Sequence, residues 1–199
     1  MNAAGGYITP GFLDIHRHGD WQAFGNGDDE LLNRQGLTTV VNGNCGLSVA
    51  PAGEKFGKEI ARFLSSVTGD FRWGKDENTD DTEGVLLSKK KEESCGISEK
   101  EIEIDALRIM STMSAYLSAL GKEKRSVNTG MLAGNGTIRA SVKGYASGKL
   151  SKEELHQVWK AVEEALSAGA LGISLGIAYA PEFEYDRDGL VEALQPLKG

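Results

Sequence analysis

The chain has 199 residues, of which 40% are hydrophobic and 26% are charged, and its formal net charge is −7. This composition is typical of a globular protein and excludes a chain that is disordered throughout. The negative charge argues against a general nucleic-acid or membrane-surface binder, because both need basic patches, and no apolar run approaches the roughly 20 residues of a membrane-spanning helix.

The N-terminus has no basic segment followed by an apolar core, so we expect no signal peptide. Two cysteines in 199 residues do not form a disulfide framework. We therefore expect a protein of the reducing cytoplasm in which both thiols are free.

The first predicted strand covers residues 7–18 and ends in two histidines. Side chains alternate along a strand, which predicts that Asp14, His16 and His18 share one face and that Leu13 and Ile15 pack under a helix from the other. Two imidazoles on one face can bind a single metal ion. His-x-His pairs also occur by chance, so the pair by itself leaves both interpretations open.

A loop over residues 19–29 precedes a short predicted helix over 29–35, which Gly36 terminates. The β-branched run over 37–41 predicts a buried second strand, followed by a glycine-rich turn over 42–46. This turn lacks the Gly-x-Gly-x-x-Gly spacing of a dinucleotide-binding loop.

Helical spacing of apolar residues predicts helices over 55–67 and 105–120. Between them, residues 68–103 are polar and charged, and we interpret them as an excursion that is partly mobile and solvated. A third strand is predicted over 127–133.

Ser151 and Glu154 form a capping box at the start of a helix that Gly169 ends. A fourth strand over 170–177 and a short helix near 188–194 follow. Four alternations of strand and helix predict an α/β fold with a parallel sheet. A closed (β/α)₈ barrel of the TIM type needs eight such units, so the chain matches about half a barrel, and a four-stranded open sheet is the alternative.

Cys45 is the next candidate for chemistry, because it follows strand two beside the two histidines. A thiolate there could complete a zinc site, whereas a buried cysteine that acts as a small hydrophobic residue is the more common case. Cys95 lies in the excursion and His156 on a polar-flanked helix, and we expect neither to take part.

Four segments of the chain resemble a known protein family: residues 9–18 (TPGFLDIHRH), 36–51 (GLTTVVNGNCGLSVAP), 134–139 (GNGTIR) and 169–181 (GALGISLGIAYAP). In order and spacing they resemble the N-acyl-D-amino-acid deacylase (D-aminoacylase) branch of the amidohydrolase superfamily. The resemblance implies a (β/α)₈ barrel with one or two zinc ions. It also implies hydrolysis of the amide bond of N-acyl-D-amino acids.

Carried over by position, His16 and His18 resemble the metal ligands of strand one, and Cys45 resembles the thiolate ligand of strand two. Many amidohydrolases use a carboxylated lysine on strand four, but residues 170–177 contain no lysine. This difference favours the D-aminoacylase branch over the hydantoinase and dihydroorotase types. Asn135 stands where many relatives have histidine, which is a departure from the family's pattern.

The resemblance also implies that further histidine ligands and an aspartate base lie downstream of Gly199, so we expect no catalytic residue within the chain. We therefore interpret residues 1–199 as the N-terminal half of a metal-dependent amidohydrolase barrel, inactive in isolation and prone to self-association through open sheet edges. The alternatives are a remnant that only folds or binds metal, and an amidohydrolase for cyclic amides or dipeptides. The expected partner is a small-molecule substrate, with no nucleic acid and no membrane.

Overall fold

The computed structural model describes residues 4–24, 28–68 and 99–198, and for residues 28 and 99–104 it describes the backbone only. The predicted excursion over 68–103 falls almost wholly outside these residues, and so do Cys95 and Gly199, the residue after which we expect the catalytic groups. Within the described chain, no helix is both long enough and apolar enough to cross a bilayer.

Parallel strands form the centre of the fold. Strands β1 (Phe12–Asp14), β2 (Leu37–Asn42) and β3 (Asn128–Met131) make one sheet in the order β1-β2-β3, and β4 (Ala133–Gly134) pairs with β5 (Ile173–Ser174) in a second sheet. Both pairings of the first sheet and the single pairing of the second are parallel. The predicted α/β class with parallel pairing is therefore confirmed.

The two sheets are joined through a single residue, Leu132. Its N–H donates to Asn42 O at 2.9 Å, which continues the pairing of β3 with β2. On the other side, Leu171 N donates to Met131 O at 2.8 Å, and Ala133 N donates to Gly172 O at 3.0 Å. The predicted third strand thus has β2 on one side and β5 on the other, and all strands direct their carboxyl ends to one edge.

The helices lie between and after the strands: α1 (Asp28–Arg34), α2 (Gly57–Thr68), α3 (Glu99–Ser111), α4 (Met113–Leu120), α5 (Asn135–Lys143), α6 (Lys152–Ala168) and α7 (Arg187–Ala193). Short 3₁₀ turns occur at Gln22–Phe24, Glu182–Glu184 and Gln195–Lys198.

The predicted helix boundaries on either side of α6 are confirmed. Ser151 Oγ accepts from Glu154 N, the Glu154 side chain accepts from Ser151 N, and Gly169 ends the helix with φ +111°. Gly36, with φ +79°, likewise follows α1. Glycine adopts such left-handed angles without the steric cost that a Cβ brings, which is why it ends these helices.

The predicted single helix over 105–120 is wrong, because it breaks at Thr112. Thr112 is extended, and its Oγ1 accepts from Ala115 N at 3.0 Å, as an N-cap does. The last carbonyls of α3 accept from another segment: Met110 O from Ala52 N and Ser111 O from Gly53 N. Helix α5, directly after β4, was not predicted.

The main core lies between these helices and the strands, and its fully buried members include Ile60, Leu64, Met110, Tyr116, Val158 and Val162. A second, smaller core joins α1 to the first sheet through Leu32, Val40 and Val127.

The first strand differs from its prediction in two ways. It is regular only over Phe12–Asp14, so His16 and His18 lie in the segment that follows it. Leu13 and Ile15 are 64% and 68% exposed and do not pack under a helix. The reason is that α1 buries Leu32 against Val40 of β2 and not against β1.

Candidate metal centre

His16, His18 and Cys45 come together beyond the carboxyl ends of β1 and β2. Their candidate ligand atoms all lie within 4.8 Å of one another, and His16 Nε2 is 3.1 Å from Cys45 Sγ. The two imidazole rings meet edge to face with their centroids 5.8 Å apart. Residues 29 positions apart in the sequence thus converge because parallel strands end at the same edge.

His18 has an unsatisfied nitrogen. Its Nδ1 is buried and has no hydrogen-bond partner among the described residues. Burial, and then the neighbouring His16, lower the pKa of His18, which favours the neutral imidazole that binds metals. A buried ring nitrogen without a hydrogen-bond partner, beside a thiol, is suited to binding a metal ion.

The turn that carries Cys45 has an unusual backbone. Cys45 has φ +56°, and Gly43 and Gly46 on either side have φ +76° and +70°. A left-handed non-glycine residue costs about 1–2 kcal/mol, so contacts from outside the turn must hold it.

Those contacts come from β5 and the loop after it. Ser174 Oγ donates to Gly43 O at 2.5 Å and accepts from Gly46 N at 2.9 Å. The Tyr179 hydroxyl donates to Cys45 O. Two hydrogen bonds from β5 and one from the loop after it therefore fix the turn to a segment about 130 residues further along the chain.

Asp20 supports the turn from the side of the histidines. It is fully buried, and its carboxylate accepts from Gly43 N at 3.2 Å and from Val49 N at 3.0 Å. Tyr116 Oη donates to Asp20 O at 2.7 Å. Burial raises the pKa of Asp20 to about 7, against the opposing effect of backbone hydrogen bonds from Val49, Gly43 and Asp20 itself.

Four residues around the turn were not identified from the sequence: Asp20, Ser174, Tyr179 and Glu182. One signal was available for Tyr179 and Glu182, because both follow the end of the predicted strand over 170–177, where site residues of parallel sheets collect, whereas Ser174 lies inside that predicted strand. Neither of the other two described candidates belongs to the group of three ligands. Asn135 is buried at the start of α5, and His156 is exposed on α6.

The donor set fits zinc. Two imidazole nitrogens and a thiolate are ligands that zinc binds readily, at about 2.0–2.1 Å and 2.3 Å. Tetrahedral angles at those lengths place sulfur and nitrogen about 3.6 Å apart. His16 Nε2 and Cys45 Sγ, at 3.1 Å, would therefore separate by only about 0.5 Å to admit an ion.

No family model matches the chain. Among curated proteins, the D-aminoacylase of Alcaligenes xylosoxydans xylosoxydans is 26% identical over 197 residues, which is 99% of this chain and 33% of that protein. The N-acyl-D-aspartate deacylase of the same organism is 28% identical over 201 residues, which is 100% of this chain and 32% of that protein. The chain thus spans about a third of the length of these relatives.

Two solved structures of D-aminoacylase superpose with TM-scores of 0.64 and 0.63 at 27% and 26% identity, covering 94% of this chain and 32% of each. The first defines a novel subset of amidohydrolases, and the second concerns a binuclear metal centre. The N-acyl-D-glutamate deacylase of Bordetella bronchiseptica, solved with zinc and a phosphonate inhibitor, gives 0.60 at 24% identity over 92% of this chain and 31% of that one, a likeness of fold. These comparisons confirm the resemblance of the chain to the N-acyl-D-amino-acid deacylase branch of the amidohydrolases.

Proposed function

We propose that the chain is the metal-binding N-terminal half of a (β/α)₈ barrel whose complete form hydrolyses the amide bond of N-acyl-D-amino acids. The observation that carries this proposal is the convergence of His16, His18 and Cys45 at the carboxyl ends of two adjacent parallel strands. Catalytic groups of such barrels gather at that end. The similarity to D-aminoacylase over nearly the whole chain supports the substrate class.

In this proposal His16, His18 and Cys45 bind one zinc ion, or contribute to a pair of ions. When bound, zinc supplies a Lewis acid for the scissile carbonyl and an acidified water. Neutral imidazole at His18 and thiolate at Cys45 are the protonation states that coordination requires. We place the protein in a reducing compartment, because oxidation of the Cys45 thiol would remove it as a ligand.

The chain by itself is proposed to bind metal without turnover. Among the residues that the structure describes, the His16–His18–Cys45 group is the one cluster of three metal-binding side chains. Amide hydrolysis also needs a group that takes a proton from water and delivers it to the leaving amine, and the family resemblance implies a carboxylate for this step. We assign none of the chain's carboxylates to that step, and a base downstream of Gly199 stays a prediction.

Zinc analysis of three purified chains tests the site. The native chain should hold at least one zinc, and Cys45→Ala should lose most of it. Cys95→Ala is the matched control, because it removes the other thiol, and should keep the native content. Equal zinc content in the native chain and in Cys45→Ala would show that Cys45 is not a zinc ligand.

An assay with zinc and N-acetyl-D-amino acids tests the second half of the proposal. We expect no turnover by the isolated chain and turnover by the chain joined to the sequence that supplies the base. Efficient turnover by the isolated chain would show that the base lies within it and not downstream of Gly199. If the complete protein hydrolyses cyclic amides or dipeptides and not acyl-D-amino acids, the proposed substrate class is wrong.

A further inference from the structure

Glu182 is a buried carboxylate that lies against the backbone of the Cys45 turn. It begins the 3₁₀ turn after β5, and the residue is only 1% exposed. Its Oε2 accepts from Gly176 N at 2.6 Å. A Cβ built on Gly46 would lie 2.5 Å from Oε1, so the carboxylate fills the space beside the residue that follows Cys45.

The same carboxylate contacts the segment that follows β4. A Cβ built on Gly136 would lie 3.4 Å from both Cγ and Oε1 of Glu182, and the Gly136 N–H faces the carboxylate. Gly46 O in turn accepts from Thr137 N at 3.1 Å. One side chain thus touches the segments that follow β2, β4 and β5.

Opposing influences act on the Glu182 carboxyl group. Burial raises the pKa of its carboxyl group, and Gly176 N–H, Asn135, Gly136 N–H and Arg139 act against that rise. Oε1 makes no well-formed hydrogen bond among the described residues. This oxygen is therefore fixed by packing against Gly46, directly beside the Cys45 turn.

We propose that Glu182 is a positioning residue for the Cys45 thiolate, because its carboxylate accepts from Gly176 N and packs against Gly46, and so holds Cys45 in its left-handed conformation beside His16. This inference rests on the proposed function, since it takes Cys45 as a metal ligand. Glu182 touches no metal ligand atom and acts through the backbone. Residues that orient ligands in this way typically change metal affinity by about 10–100-fold when they are replaced.

Cobalt titration of the full chain tests the inference, because Co²⁺ bound to a thiolate gives a sulfur-to-metal charge-transfer band that reports on Cys45 itself. Glu182→Ala should weaken Co²⁺ binding by about 10–100-fold and reduce the band at saturation, while far-ultraviolet circular dichroism stays native. Glu182→Gln keeps the size of the side chain and an oxygen for Gly176 N, but not the charge. It should weaken binding by about fivefold, since the amide NH2 takes the place of the unpaired Oε1 and leaves a buried donor unsatisfied.

Glu184→Ala is the matched control on the same 3₁₀ turn. Its Oε2 accepts from Gly148 N at 2.8 Å, away from Cys45, and the variant should bind Co²⁺ like the native chain. A folded Glu182→Ala with native affinity and a native band would overturn the inference. If Glu182→Ala does not fold, native Co²⁺ binding by a folded Glu182→Gln overturns it instead. Absence of the band in the native chain would refute the proposed metal site, and the inference with it.

Discussion

Gly43 and the carbonyl oxygen of Leu132 approach so closely that a Cβ on Gly43 would lie 2.1 Å from that oxygen. Gly43 also has φ +76°, donates to Asp20 and accepts from Ser174. The turn before Cys45 therefore depends on glycine for two separate reasons, a backbone angle and a steric contact with the strand beside it.

Gly43→Ala should destabilise the fold more than a Gly→Ala substitution at a position where only the positive φ angle disfavours alanine. Gly148 supplies the comparison, because it has φ +99° and open space where a Cβ would lie. We expect Gly148→Ala to cost about 1–2 kcal/mol and Gly43→Ala about 2–5 kcal/mol, since the second adds a clash with backbone. Urea denaturation measures both, and equal costs would show that the contact with Leu132 relaxes freely.

The sequence predicted those parts of the fold that are set by local interactions. The capping box at Ser151, the glycine stops at Gly36 and Gly169, and the β-branched strand β2 all depend on neighbouring residues. The residues of the candidate site were found for a related reason. Chain order places His18 and Cys45 at the ends of successive strands, and successive parallel strands are commonly neighbours.

The parts that were missed depend on contacts between distant residues. The break at Thr112 is accompanied by hydrogen bonds from residues 52 and 53 to the end of α3. The roles of Ser174 and Tyr179 arise from hydrogen bonds that span 128 to 134 positions. No local pattern encodes such partners, so their chemistry becomes visible only when the strands are placed side by side.

Asp29 and Arg125 form a largely buried ion pair whose disruption should be costly. Arg125 Nη2 lies 2.5 Å from Asp29 Oδ1, and the two side chains are 10% and 12% exposed. Asp29→Ala should destabilise the fold by about 3–5 kcal/mol, because it leaves the guanidinium buried without its partner. Urea denaturation of this variant measures the loss.

The neighbouring residue on α1 is the control for that experiment. Glu30 pairs with Arg34 at 2.6 Å, but those side chains are 73% and 76% exposed. Glu30→Ala should change stability by no more than about 0.5 kcal/mol. Similar losses for Asp29→Ala and Glu30→Ala would mean that burial does not strengthen the first pair.

The capping box of α6 should give stability that depends on pH. The Ser151 N–H, followed by the Lys143 ammonium, holds the pKa of Glu154 below its usual value of 4.5. A depressed carboxyl pKa adds stability that is complete above the usual value and is lost as pH falls through the lowered one. The stability difference between the native chain and Glu154→Gln should therefore shrink as the pH is lowered below 4.5.

Ser151→Ala tests the other half of the capping box. It removes the acceptor for Glu154 N and should cost about 1 kcal/mol near neutral pH, measured by thermal or urea unfolding. Because the serine hydroxyl does not titrate, this cost should persist at low pH. A Glu154→Gln difference that grows as pH falls would contradict the assigned direction of the pKa shift.

Self-association of the isolated chain should depend on the apolar residues along β1. Within the described chain, β1 pairs with β2 only and β5 with β4 only, and Phe12, Leu13 and Ile15 are 59%, 64% and 68% exposed. Unpaired strand edges with apolar side chains favour pairing with a second chain.

Size-exclusion chromatography over a range of concentrations should show oligomers, and Ile15→Lys should shift the chain toward monomer. Leu31→Lys is the control, because Leu31 is 57% exposed but lies on helix α1 and not on a strand. A native chain that elutes as a monomer at every concentration, or an equal response to both lysine changes, would rule out β1 as the contact surface.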